Sequence, residues 1–254
     1  MTAPVMAGAE PFSAPGGNVG ALVLHGFTGN PFEMRPVAER LAAAGYAVEL
    51  PRLPGHGTAL EDMIPTRWAD WSGTVESTYA ELAGRTEKVV VVGLSMGGAL
   101  ALSLAERHPE IAGIVAINPV AEPPGDELRE AVHELLASGD EVMAGIGSDI
   151  ARPDVTQPAY EGTPLAPALS LFEAVEDVAV GLPSIHCPVL LLSSREDHVV
   201  PSSNGDLVAA TVSGPVERIW LERSYHVATL DFDAELIETK TVEFVGKVTA
   251  GTAP

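Results

Sequence analysis

The chain has 254 residues, 46% of them apolar, which suits one domain with a large core and argues against disorder. Thirty-five acidic residues against 14 basic ones give a net charge of −21, which disfavours nucleic acid and anionic lipid surfaces as partners and suits a neutral small molecule. The single cysteine, Cys187, excludes an intramolecular disulfide, and no Cys/His cluster has zinc-site spacing. No apolar run is long enough to span a bilayer, so stable membrane insertion is not expected. The first 17 residues have neither the basic start nor the apolar stretch of a secretory signal. They read as a flexible N-terminal segment, and the chain as cytoplasmic.

In chain order, strands are predicted at 19–24, 46–50, 88–92, 111–117, 189–193 and 218–221. Helices are predicted at 34–44, 67–83, 96–107, 202–212 and 234–248. Strands that are nearly all apolar and alternate with helices imply a mostly parallel sheet covered on both faces. Arg35-Pro36 reads as the start of the first helix, since proline is tolerated in a first turn, and Gly45 reads as its end. Between 121 and 184 the rhythm breaks. No strand is predicted there, only helical patches at 126–137, near 141–146 and at 165–180. This stretch holds 13 acidic residues and two arginines, so about half of the net charge sits on a quarter of the chain. An insertion after the fourth strand would lie above the carboxyl edge of the sheet, where sites in such folds are built. The expected organisation is therefore a core over 18–120 and 185–248, a cap over 121–184 and a loose tail over 249–254.

The strongest chemical signal is Gly93-Leu94-Ser95-Met96-Gly97. It follows a run of valines and precedes an Ala/Leu-rich helical stretch, so Ser95 falls at the tip of a strand–turn–helix junction. The bare pattern is weak, and a serine there could simply cap the helix. Its partners strengthen it. A serine hydroxyl needs a base, and the base needs an orienting carboxylate. Asp197 lies in the loop after a late strand, with Glu196 as the alternative acid, and His226 lies in the loop after the last strand. The order Ser, Asp, His matches that of one serine-nucleophile fold. The remaining histidines have plainer roles. His25 orders its loop, His56 bonds turn backbone, His108 ends a helix, His133 is solvated, His186 precedes a strand and His198 neighbours the acid. Two backbone donors for an oxyanion are expected: Met96 N–H, directly after the serine, and Phe27 N–H, in the loop after the first strand.

These motifs carry a resemblance. Leu24-His25-Gly26-Phe27-Thr28-Gly29, Pro51-Arg52-Leu53-Pro54-Gly55-His56-Gly57, Gly93-Leu94-Ser95-Met96-Gly97-Gly98, Glu196-Asp197-His198 and Ser224-Tyr225-His226-Val227-Ala228-Thr229-Leu230-Asp231 together resemble the bacterial monoacylglycerol lipases and related small carboxylesterases. The likeness spans about residues 20–248 and includes Ile146-Gly147-Ser148-Asp149. It implies the α/β-hydrolase fold with a small helical cap, Ser95, Asp197 and His226 as triad, and Phe27 and Met96 as oxyanion donors. It also implies a glycerol-sized alcohol pocket beside an apolar acyl tunnel, with Ile146 touching the substrate. Gln157 falls where the family places a glutamate on the glycerol hydroxyls, and an amide can still bond hydroxyls.

The expected reaction is ester hydrolysis through an acyl-enzyme on Ser95, with no metal and no organic cofactor. The expected partner is a monoacylglycerol or another small ester. Alternatives are a general carboxylesterase on short or medium neutral esters, and a ligand-binding receptor on a hydrolase fold, which negligible turnover with tight binding would reveal. An apolar rim on a mobile cap would also make transient contact with lipid aggregates. Unchanged rates across the substrate's micelle threshold would argue against that contact.

Overall fold

The computed structural model describes residues 3–145 and 147–250. Seven strands form the main sheet: β1 (Phe12–Ala14), β2 (Val19–Leu24), β3 (Ala47–Leu50), β4 (Lys88–Leu94), β5 (Gly113–Ile117), β8 (Val189–Ser194) and β9 (Val216–Leu221). Their spatial order is β1-β3-β2-β4-β5-β8-β9, with β1 antiparallel to β3 and every other pair parallel. The valine run explains the central place of β4. β-branched side chains fit a pleated surface, and a strand covered on both faces needs no polar side.

Successive side chains of a strand point to opposite faces, and the core divides accordingly. Ala21, Val23, Val90, Val92, Val115 and Ile117 pack on one face against α1 (Pro31–Ala43) and α8 (Ala234–Val248). Leu22, Leu24, Val89, Val91, Ile114 and Ala116 pack on the other, against α3 (Trp68–Ala83), α4 (Met96–Arg107) and α6 (Leu165–Gly181). Full burial of each such Val, Leu or Ile side chain contributes roughly 1.5–3 kcal/mol. The remaining helices are the short α2 (Leu60–Met63), α5 (Asp126–Ser138) and α7 (Ser203–Thr211).

Three expectations need correction. The first helix begins at Pro31, not at 34. Asn30 accepts from Phe32 N–H as its N-cap and Pro31 fills N1, so Pro36 lies inside the helix. The N-terminal segment is not uniformly flexible, since β1 pairs through Phe12, Ser13 and Ala14 with β3 and forms one edge of the sheet. The stretch 121–184 is not free of strands. β6 (Val142–Ala144) and β7 (Gly162–Pro164) form an antiparallel pair where a helical patch was expected near 141–146. Pairing between segments about 20 residues apart leaves no local periodicity to read. Among the described residues, no helix is long and apolar enough to cross a membrane.

The parallel strands β2, β4, β5, β8 and β9 all end on one edge of the sheet. The loops that follow them, together with the segment between β5 and β8, meet there.

Candidate active site

Ser95 sits between β4 and α4 with φ 58° and ψ −119°, a conformation that side-chain-bearing residues rarely adopt. The surroundings hold it there. Ser95 N–H donates to Ile117 O at 3.0 Å, and Ser95 O accepts from Val120 N–H at 3.2 Å, which ties the turn to β5 and its following loop. The flanking glycines are required by close backbone approach. A Cβ on Gly93 would lie 2.1 Å from Gly97 O, and one on Gly97 would lie 2.3 Å from Leu24 O. The side chain of Ser95 is 8% exposed and opens onto a cavity of about 490 Å³.

His226 lies on the same cavity and is fixed on three sides. Its Nδ1 is 2.8 Å from Asp197 Oδ2, its backbone N–H donates to Asp149 Oδ2 at 3.0 Å, and its carbonyl accepts from Asn118 Nδ2 at 2.8 Å. Asp197 Oδ1 accepts from Val199 and Val200 N–H at 2.9 and 2.7 Å, so the carboxylate is held by its own loop. An ionised carboxylate only accepts, which puts the proton on Nδ1 and leaves Nε2 as the basic nitrogen. Glu196 has no place in this arrangement, and Asp197 takes the position facing the histidine.

Phe27 also lines the cavity, and its peptide is set by its neighbours. Leu53 N–H donates to His25 Nε2 at 3.1 Å, so the buried neutral His25 carries its proton on Nδ1 and donates it to Gly26 O at 3.0 Å. Burial above all, with His56 and Arg52 nearby, holds His25 well below the usual histidine range against the opposing Gly26 bond. Since the peptide is planar and trans, fixing Gly26 C=O also fixes the opposed N–H of Phe27. The Phe27 ring stands edge-on to Trp71 and His56. Met96 is the first residue of α4, so its N–H has no intrahelical acceptor.

The segment between β5 and β8 supplies much of the cavity wall. Val120, Leu128, Leu171 and Phe172 line it, and Gln157 supplies an amide on the wall. Asn30 Nδ2 donates to Pro158 O, which fastens the loop carrying Gln157 to the N-cap of the first helix. Ile146 lies outside the described residues. The same segment touches down on the histidine loop through two aspartates. Asp149 O accepts from Val227 N–H at 3.0 Å, and Asp149 Oδ1 lies 2.8 Å from His198 Nδ1. Asp231, 1% exposed, accepts from Ala151 N–H at 2.7 Å and Tyr225 N–H at 2.9 Å. His198 itself is exposed, and its bond to Asp149 raises its pKa. Cys187 is off this site, with burial pushing its thiol up to about 11, as for an inert structural residue.

Sequence reasoning gave no role to Glu33 and Asp149, two cavity residues that bond the Gly26 and His226 backbones. Asp149 stands in a quoted motif, but nothing local shows that it bonds the histidine backbone. Glu33 looks like an ordinary first-turn acid, and only the apolar Phe32 and Met34 beside it hint at burial.

The model described as "Alpha/beta hydrolase family" matches residues 21–239. A thermostable monoacylglycerol lipase of Bacillus sp. (strain H-257) is 47% identical over 248 residues, which cover 96% of this chain and 97% of that one. A carboxylesterase of Bacillus subtilis (strain 168) is 28% identical over 242 residues, or 94% and 97% of the two chains. Among solved structures, a chain from work on LipS and LipT, two metagenome-derived lipolytic enzymes, superposes with a TM-score of 0.92 at 40% identity. That superposition covers 96% of this chain and 100% of the other.

Proposed function

The chain belongs to the alpha/beta hydrolase family, and from that premise we propose that it cleaves monoacylglycerols to glycerol and fatty acid through an acyl-enzyme on Ser95. The observation that carries the reaction is the meeting of Ser95 and the Asp197-bonded His226 on one cavity. His226 Nε2 takes the serine proton as Ser95 Oγ attacks the ester carbonyl. The N–H groups of Phe27 and Met96 hold the oxygen that becomes negative. His226 then protonates the departing alcohol, and a water deacylates the enzyme with His226 again as base. Residues 121–184 act as the cap that excludes solvent, and the apolar wall of Leu128, Leu171 and Phe172 takes the acyl chain.

The glycerol part rests on likeness to the Bacillus sp. monoacylglycerol lipase over nearly the whole chain. Gln157 favours a second reading, a carboxylesterase on short or medium neutral esters, because an amide binds a polyol hydroxyl less strongly than a carboxylate does. The test is release of glycerol and fatty acid from a medium-chain 1-monoacylglycerol beside the matching triacylglycerol. Fast monoester turnover with little triester turnover supports the first reading, and poor turnover of both beside rapid cleavage of small esters supports the second. Ser95→Ala should lower kcat by roughly 10⁴-fold or more, and wild-type rates in that variant would refute the mechanism.

A further inference from the structure

Glu33 is the third residue of α1, and it is 3% exposed. A glutamate at that helix position commonly reaches back to the N-cap backbone. This one bonds Gly26 N–H instead, seven residues earlier in the chain. A Cβ built on Gly26 would lie 3.1 Å from Glu33 Oε1 and 3.4 Å from Ser95 Cβ, so the carboxylate and the nucleophile flank the same backbone atom. A Cβ on Gly29 would lie 2.3 Å from Glu33 Oε2, so the loop is shaped around the carboxylate. Glu33 shares the cavity wall with Ser95 and His226. It takes part in none of the ion pairs among the described residues.

We propose that Glu33 is a positioning residue for hydrolysis: it fixes the Gly26 end of the oxyanion loop and sets a negative charge on the cavity wall shared with the histidine that becomes a cation. The proposal rests on the hydrolase mechanism above. A neutral amide could hold Gly26 N–H without the desolvation cost of a buried carboxylate, so holding the loop alone does not account for a charge here. The charge gains a partner only when His226 has taken the serine proton. That attraction is absent in the resting enzyme and present in the transition state, which is the condition for an interaction to raise kcat. Burial pushes the Glu33 carboxyl up to about 7, opposed by the Gly26 bond and, when it is charged, by His226.

The experiment is a pH profile of p-nitrophenyl butyrate hydrolysis by wild type, Glu33→Gln, Glu33→Asp and Ser95→Ala, with thermal melts as a check on folding. Glu33→Gln keeps an acceptor for Gly26 and removes the charge. Its kcat should fall about tenfold or more while KM stays within about twofold. The acid limb of its profile should become shallower, since one group titrating there is gone. Glu33→Asp keeps the charge but withdraws it, so its kcat should be reduced with the acid limb retained. Wild-type kcat in Glu33→Gln, or a loss confined to KM, overturns the proposal. Were Glu33→Gln not to fold, Glu33→Asp would decide it by the same two readouts. Background activity in Ser95→Ala beside an unimpaired Glu33→Gln would reject the role of Glu33 and leave the hydrolase reading intact. Activity retained in Ser95→Ala would reject the hydrolase reading itself.

Discussion

The backbone of Ser95 stores strain at φ 58°, held by bonds to Ile117 and Val120. Ser95→Gly should therefore be more stable than Ser95→Ala, by about 1–2 kcal/mol, because both lack the hydroxyl and only alanine keeps the strained Cβ. Urea midpoints of the two proteins check this, and equal midpoints would mean that the turn is unstrained. Glu33 is a second such reservoir, with a sign fixed by linkage. Its folded value is raised to about 7 from 4.5, so the native state holds the proton more tightly between those limits and loses stability as pH rises through them. Glu33→Gln should gain on the order of 3 kcal/mol over wild type at pH 8 and almost nothing at pH 4. Denaturant titrations at the two pH values measure the difference, and an advantage larger at pH 4 would contradict it. The proposed trio Ser95, Asp197 and His226 could be nominated from the sequence because each follows an apolar strand and their order is restrictive. Glu33 was not, because its partner is set by how a loop folds back onto a helix.

The junction of β4 and α4 is packed backbone on backbone, and this explains both its legibility and its fragility. Gly97→Ala would drive a methyl to 2.3 Å from Leu24 O and 2.8 Å from His25 O, atoms that cannot rotate away. A loss above about 4 kcal/mol is expected. Gly73, mid-way along α3, meets nothing within 4 Å, so Gly73→Ala should stabilise by roughly 0.5–1 kcal/mol. Melting temperatures of the two variants should move in opposite directions, and a shared direction would show that the contacts at Gly97 can relax. Elements with sustained apolar runs, such as β2 and α4, match their predicted bounds at both ends. The β6–β7 pair escaped prediction because three residues per strand carry no pattern, and its partners are found only in the folded chain. The first helix was mis-started because Pro36 is a weaker signal than the Asn30-Pro31 cap that precedes it.

Over the whole molecule, a net charge of −21 with half of it on residues 121–184 makes self-repulsion a global term. Raising NaCl from 0.1 to 1 M shortens the screening length from about 10 to about 3 Å, so the melting temperature should rise by several degrees. A fall would show that ion pairs such as Arg218–Asp206 outweigh the repulsion. The overall architecture was legible because alternating buried strands and helices admit few arrangements. Where the intervening segment lands was not, since Asp149 and Asp231 bond backbone groups some 80 residues away. Those two straps bear on recombination between relatives. Residues 121–184 look like a cassette that could be exchanged at its two junctions with the sheet. Their middle, at Asp149 and Ala151, is part of the mounting of His226. A chimaera joined only at the ends would import a foreign mounting with its new roof. Crossovers that leave 149–152 native and exchange the arcs on either side would change the pocket and keep His226 in register.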